Sequence, residues 1–249
     1  RLSMESIIII IGIFILAFVS GMIGLGVAFS AIPFLGLFMD DLVHQVQPLS
    51  LLLNGVTALL SALGFAKSGF IEWKKAIYLS IITTLSAPVG AVLAHYISQD
   101  IIWVIYFFSV LYLAYRLFKP IKAVKEDKTN FKLAAILAVP ISVLSGLLGV
   151  GPGFLLMPTL IICGFDPKRA AGINAFAVCP PSFSALLPHI STAHWNFTLT
   201  IALITVGAVA SYLGARATSL YVPSKRIKQI FATLIVIVTA YKITTLFFK

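Results

Sequence analysis

Charge is what this chain has least of. Only 10% of its 249 residues are Asp, Glu, Lys or Arg, where a soluble domain carries roughly 25%. A chain so poor in charge cannot coat a surface facing water, which excludes a soluble enzyme or binding module. Cysteine is scarce too. Cys163 and Cys179 make no disulfide framework, and their apolar surroundings suit small buried hydrophobes. The acids are Glu5, Asp40, Asp41, Glu72, Asp100, Glu126, Asp127 and Asp166, each at the end of an apolar run or in a connection. Proton- and cation-coupled carriers place carboxylates near the membrane midplane, so a cationic substrate is disfavoured. Also missing are a Gly-x-Ser-x-Gly elbow, a His-Glu-x-x-His pair and a Walker loop. Neither an enzyme nor a cofactor is expected. His44, His95, His189 and His194 have no metal-ligand spacing with one another or with the cysteines, so no metal site is expected either.

What the chain does have is apolar length. Sixty per cent of it is hydrophobic and its mean hydropathy is +1.05, which fits about eight membrane spans of roughly 20 residues joined by short loops. The runs fall at about 6–38, 45–66, 75–97, 101–118, 131–163, 170–189, 197–219 and 227–248. The one beginning at Ile7 lacks the small-residue cleavage site of a signal peptide and reads as the first membrane segment. Lys and Arg number 18 and give a net charge of +10. In a soluble protein that balance would raise nucleic acid. Here the cations sit in connections, where they retain loops in the cytoplasm and meet anionic lipid; a basic vestibule that draws anions to a pore would add to this.

The first and fifth runs are too long for one span, and each is interrupted by glycines. Ser20-Gly21-Met22-Ile23-Gly24-Leu25-Gly26 aligns at an offset of 125 with Ser145-Gly146-Leu147-Leu148-Gly149-Val150-Gly151, and Pro33 then falls on Pro158. Later, Gly90-Ala91 matches Gly214-Ala215, and Ala114-Tyr115-Arg116 resembles Ala240-Tyr241-Lys242. The expected fold is therefore an all-α integral membrane protein of about eight hydrophobic segments in two pseudo-symmetric four-segment repeats. The first segment of each is Gly-broken or re-entrant. The units are an N-terminal repeat at 1–118, a basic linker at 119–132 and a C-terminal repeat at 133–249. If every segment crosses once the repeats are parallel, and the charge bias leans that way. If the broken segments re-enter, the repeats are inverted, and the broken helices lean that way. Both remain open at this level.

Inside hydrocarbon a helix breaks only where protein or water satisfies the freed backbone groups. A helix restarting after a break presents free N–H groups and the positive end of its dipole, which suits an anion. The candidate substrate-binding residues are accordingly Gly24, Gly26, Gly149, Gly151 and Gly153. To these are added the neutral polar residues Gln47, Ser50 and Asn54 in the second segment, and Asn174 and Ser182 in the sixth. Amides and hydroxyls donate to an anion without the desolvation cost of a buried cation; close helix packing and interhelical hydrogen bonds compete for the same residues. Cys179-Pro180-Pro181 is expected to break the sixth segment at mid-length, which would make Cys179 a cavity thiol able to exchange with a sulfur compound.

With Gly24-Leu25-Gly26 and Pro33 in one half, and Gly149-Val150-Gly151-Pro152-Gly153, Pro158 and Ala170-Ala171-Gly172 in the other, the chain resembles the TauE/SafE family of membrane exporters over essentially its whole length. The resemblance implies export of small sulfur-containing anions, such as sulfite or organosulfonates, through a multi-pass protein of the bacterial cytoplasmic (inner) membrane. Its partners would be that small anion and membrane lipid, with no nucleic acid. Two departures bear on the site. Val27 and Ala28 stand where the family often continues its glycine run, narrowing any backbone site near Gly26. Ile173-Asn174 stand where Thr-Ser commonly follows, replacing hydroxyl donors with an amide. The expected mode is alternating access. An anion channel for another small oxyanion or a carboxylate is the first alternative, and a sulfur-transfer protein using a cavity cysteine is the second.

Overall fold

The computed structural model describes residues 3–93, 96–98, 129–148, 151–187 and 190–247, together with residues 101, 104, 105, 108, 111, 112 and 115. Among them all regular structure is helical: α1 Met4–Met22, α2 Ala28–Leu35, α3 Gln47–Lys67 entered through a π turn at Leu42–Val46, and α4 Trp73–Leu93. After the linker come α5 Phe131–Leu148, α6 Gly153–Ile162, α7 Pro167–Leu186, α8 Phe197–Tyr221 and α9 Ser224–Phe247. Among the described residues three stretches are long and apolar enough to cross a membrane: Met4–Met22, His44–Lys67 and Phe197–Tyr221. The outside of the molecule is as apolar as its inside. On α1, Ile9, Ile13 and Ala17 are buried while Ile7, Ile8, Ile11 and Ile15 point outward. Water would not tolerate that surface; lipid does.

Because lipid is as apolar as leucine, helices in it associate through close packing and hydrogen bonds rather than through the hydrophobic effect. Small residues mark those contacts. Gly21 lies against the backbone of Ser211, Gly214 against Phe18, and Gly146 against Ala87. The same pairs give helix directions. Gly207 lies near Ile13 and Gly214 near Met22, so α1 and α8 run side by side in one sense. Gly55 meets Phe183 and Gly172 meets Phe65, so α3 and α7 are antiparallel. The rings of Tyr78 and Phe131 lie 5.7 Å apart at the starts of α4 and α5, which run together.

The two broken segments turn back on themselves. Gly12, near the middle of α1, faces the ring of Phe34 at the end of α2, so α2 turns back alongside α1 towards the end where α1 began. In the second half the N–H of Asn130, just before α5, donates to the carbonyl of Cys163, just after α6, at 2.8 Å. The first hairpin thus opens at the end where α3 and α8 start, the second at the end where α4 and α7 start. At that latter end Arg169 and Lys75 both meet Glu72, at 3.7 and 2.9 Å. Lys168 reaches the Ser219 carbonyl at 3.2 Å, and Arg216 donates to Ser68 at 2.6 Å. At the opposite end the described loops 36–46 and 190–196 hold Asp40 and Asp41 and no Lys or Arg. The charge asymmetry leaned towards simple spans in the sequence; among the described residues Lys75, Lys168, Arg169 and Arg216 gather at one end along this re-entrant path as well.

One expectation fails. Helix α7 runs unbroken from Pro167 to Leu186 through Pro180 and Pro181. Proline at 181 removes the donor that would serve the carbonyl four residues earlier, at Ala177. The hydroxyl of Thr83 on α4 donates to that carbonyl at 2.9 Å, so a neighbouring helix supplies what the proline removed, worth about 1 kcal/mol.

Candidate functional site

The first break is a closed helix terminus. Leu25 N–H donates to Ser20 O at 2.9 Å and Gly24 N–H to Gly21 O at 3.4 Å, the paired bonds of a Schellman cap. That cap needs a left-handed residue, and Gly24 has φ +71°. The remaining carbonyls find side chains on three other helices: Gly21 O accepts from Ser61 at 2.9 Å, Met22 O from Thr218 at 2.8 Å, and Gly24 O from the Asn174 amide at 3.0 Å. The restart is served as well. Val27 N–H donates to Thr57 Oγ1 at 3.2 Å and Ala28 N–H to Asn54 Oδ1 at 3.0 Å, so Asn54 caps α2 from across the helix interface.

The second break is less complete. Helix α6 follows Pro152, and no side chain caps its start. Asn174, wholly buried, turns its Nδ2 to Gly24, and its Oδ1 has no partner. A buried acceptor left in that state costs about 1–3 kcal/mol.

Between the breaks lies a cavity of about 20 Å³ lined by Leu25, Gly26, Ala28, Asn54, Gly151, Gly153 and Val178. It has room for about one water. The glycines border it differently. A Cβ on Gly26 would run into the Asn54 amide, and one on Gly153 would come within 2.7 Å of Leu25 and 3.2 Å of Asn174 Nδ2. A Cβ on Gly151 would meet only ordinary contacts, 3.5 Å from Asn54 Nδ2 and 3.8 Å from Val178; a methyl there would project into the cavity. The Asn54 Nδ2 donates to Ser182 Oγ at 2.6 Å, and Ser182 donates to the Val178 carbonyl at 2.8 Å. This chain ties α3 to α7. Among the described residues no ionisable group is in the lining, so the electrostatics are those of amides and helix ends.

Of the residues singled out in the sequence, Gly26, Asn54, Gly151 and Gly153 line this cavity; behind it Ser182 is hydrogen-bonded to Asn54, and Asn174 to Gly24. Ser50 is buried with an unpartnered hydroxyl and does not line the cavity. Gly149 and the side chain of Gln47 lie outside the described residues. Cys179 packs with Ala58, Val178 and Phe183 and is not in the lining, and Cys163 ends α6. Two hydroxyls that hold the first break, Ser61 and Thr218, were not singled out. A signal existed for Ser61: Ser50, Asn54, Thr57 and Ser61 recur at helical spacing on one face of α3.

An apolar-surfaced helical protein with a small, mostly apolar cavity edged by one amide between two helix interruptions suits a membrane transporter. The chain belongs to the sulfite exporter TauE/SafE family, which it matches over residues 8–242. It is also similar to a probable membrane transporter protein of Methanocaldococcus jannaschii, 23% identical over 207 residues that cover 80% of this chain and 77% of the relative. No solved structure matches it. The protein is thus a multi-pass membrane transporter.

Proposed function

We propose that the protein exports small sulfur-containing anions, sulfite or an organosulfonate, across the bacterial cytoplasmic membrane by alternating access. The observation that carries this reading is the meeting of Gly26, Gly151, Gly153 and Asn54 around one cavity without an ionisable side chain. Such a lining disfavours cations, and the uncapped start of α6 offers N–H groups and a positive dipole end to an oxyanion. The Asn54 amide supplies the polar group of the lining, and Asn174 and Ser182 would have to turn their donors from Gly24 and Val178 to join it. The family description names sulfite, which supports that substrate class.

The repeats, 1–118 and 133–249 about the linker 119–132, are read as inverted. Helix contacts exchange in pairs between the halves, α1 with α8 answering α5 with α4, and α3 with α8 answering α7 with α4. The hairpins opening at opposite ends support the same symmetry. A cavity that holds about one water is too small for three oxygens around sulfur, so the ligand would bind as the two halves part. That supports a carrier over an open channel. The end bearing Lys75, Lys168, Arg169 and Arg216 is assigned to the cytoplasm.

Thermal-shift screening of the purified protein against sulfite, thiosulfate, organosulfonates, sulfate and simple carboxylates tests the substrate class. Stabilisation by sulfite or a sulfonate is expected. Stabilisation by carboxylates alone would overturn the assignment, and current far above carrier turnover in proteoliposomes would move it to a channel.

A further inference from the structure

Roughly 15 Å along α3 from Asn54, at the end of the molecule that carries Asp40 and Asp41, the fold joins residues that the sequence keeps 150 positions apart. The side chains of Asp41, His44 and His194 each offer a ligand atom, all within 4.8 Å of one another. We propose that these three residues form a binding site for a divalent transition-metal ion of the zinc, cobalt or nickel type, a site separate from the transport cavity and independent of the transported substrate.

The chemistry fits that class, since two imidazoles and a carboxylate suit borderline metals rather than calcium or magnesium. The spacing fits as well. Two bonds of about 2.0–2.1 Å at a tetrahedral angle put their ligand atoms about 3.3 Å apart, and His44 Nδ1 lies 3.1 Å from either oxygen of Asp41. His194 is exposed, so its ring is free to close the remaining distance. Three protein ligands leave a fourth position for water.

The loops are held in place before any ion arrives. His194 N–H donates to the His44 carbonyl at 2.8 Å, and the two rings meet edge to face at 5.6 Å between centroids. This strap joins loop 36–46 of the first half to loop 190–196 of the second. Asp41 is fixed by accepting from His44 N–H through Oδ1 at 3.1 Å, and His44 Nδ1 hydrogen-bonds to either of its oxygens at 3.1 Å, a contact that a metal ion would replace. The same backbone bond is the main reason its carboxyl titrates below the ordinary aspartate range, against a smaller opposing effect of burial; the group is an anion at neutral pH. Helix capping accounts for Asp41 alone. The hydrogen bond between Asp41 and His44 accounts for one imidazole; neither interaction asks for the imidazole of His194, which a metal ion uses.

Tag-free protein, stripped of metal and held in detergent, is titrated with Co²⁺ followed by visible absorption and with Zn²⁺ followed by calorimetry. One ion per chain is expected, with a visible Co²⁺ spectrum and a higher unfolding temperature when Zn²⁺ is added. His44→Gln and His194→Gln should each weaken binding by more than the roughly 10–100-fold that loss of an outer partner costs at a metal site. Asp41→Asn should weaken it too. Unfolding temperatures of the variants without metal separate misfolding from ligand loss. No binding by the unmutated protein, or binding that survives both histidine replacements, would overturn the site. The metal-induced stabilisation of the unmutated chain provides a readout that needs no variant.

Discussion

At the first break, around Gly24, the freed carbonyls of Gly21, Met22 and Gly24 and the N–H groups of Val27 and Ala28 all have partners on α3, α7 or α8. At the second, around Gly151, α6 begins without a side-chain cap. Both buried asparagines serve the first break, Asn54 accepting from Ala28 and Asn174 donating to Gly24; neither side chain caps the second. Two similar glycine sequences thus do different work. The first is a fixed joint in the protein, and the second leaves the N–H groups at the start of α6 without a side-chain cap. The cavity lies where the two meet, and Gly151 is its least obstructed wall.

Substitutions can break this comparison. The largest effect is expected of Gly24→Ala, which puts a Cβ against the Ala171 carbonyl on a left-handed residue. Overpacking and backbone strain together cost about 2–5 kcal/mol, read as lost monodisperse protein and a lower unfolding temperature. Gly26→Ala and Asn54→Ala come next. The first pushes a methyl into the Asn54 amide and the second leaves the Ala28 N–H unpaired, each worth about 1–3 kcal/mol. Because the collision needs the amide, the double variant should be more stable than the two losses predict, with coupling of about 0.5–3 kcal/mol; simple additivity would mean that Asn54 does not sit over Gly26. The smallest effect is expected of Cys179→Ala in its apolar cluster, about 1 kcal/mol. Flux should persist. Complete loss of flux in a folded Cys179→Ala protein would shift weight to thiol chemistry.

Much of this was legible in the residues. Glycines in apolar runs mark breaks because leaving the helix takes a left-handed residue and close backbone approach, and asparagines at 54 and 174 stand out where only apolar side chains are cheap. The prolines misled: Pro180 and Pro181 remove donors locally, and the compensating hydroxyl of Thr83 is 94 positions from the carbonyl it serves. The direction of the hairpins was hidden for a related reason, since it rests on long-range contacts such as Gly12 with Phe34. His44 and His194 carry no spacing signal at all. Only the return of α7 to the start of α3 makes them neighbours.

The most direct test is sulfite flux through Gly151→Ala in proteoliposomes. The added methyl makes only ordinary contacts, so the unfolding temperature should stay close to that of the unmutated protein, while the methyl occupies the cavity beside the uncapped break. Saturable sulfite transport that falls at least about tenfold, equivalent to 1.4 kcal/mol, is the predicted result. Undiminished transport by the folded variant would contradict the account.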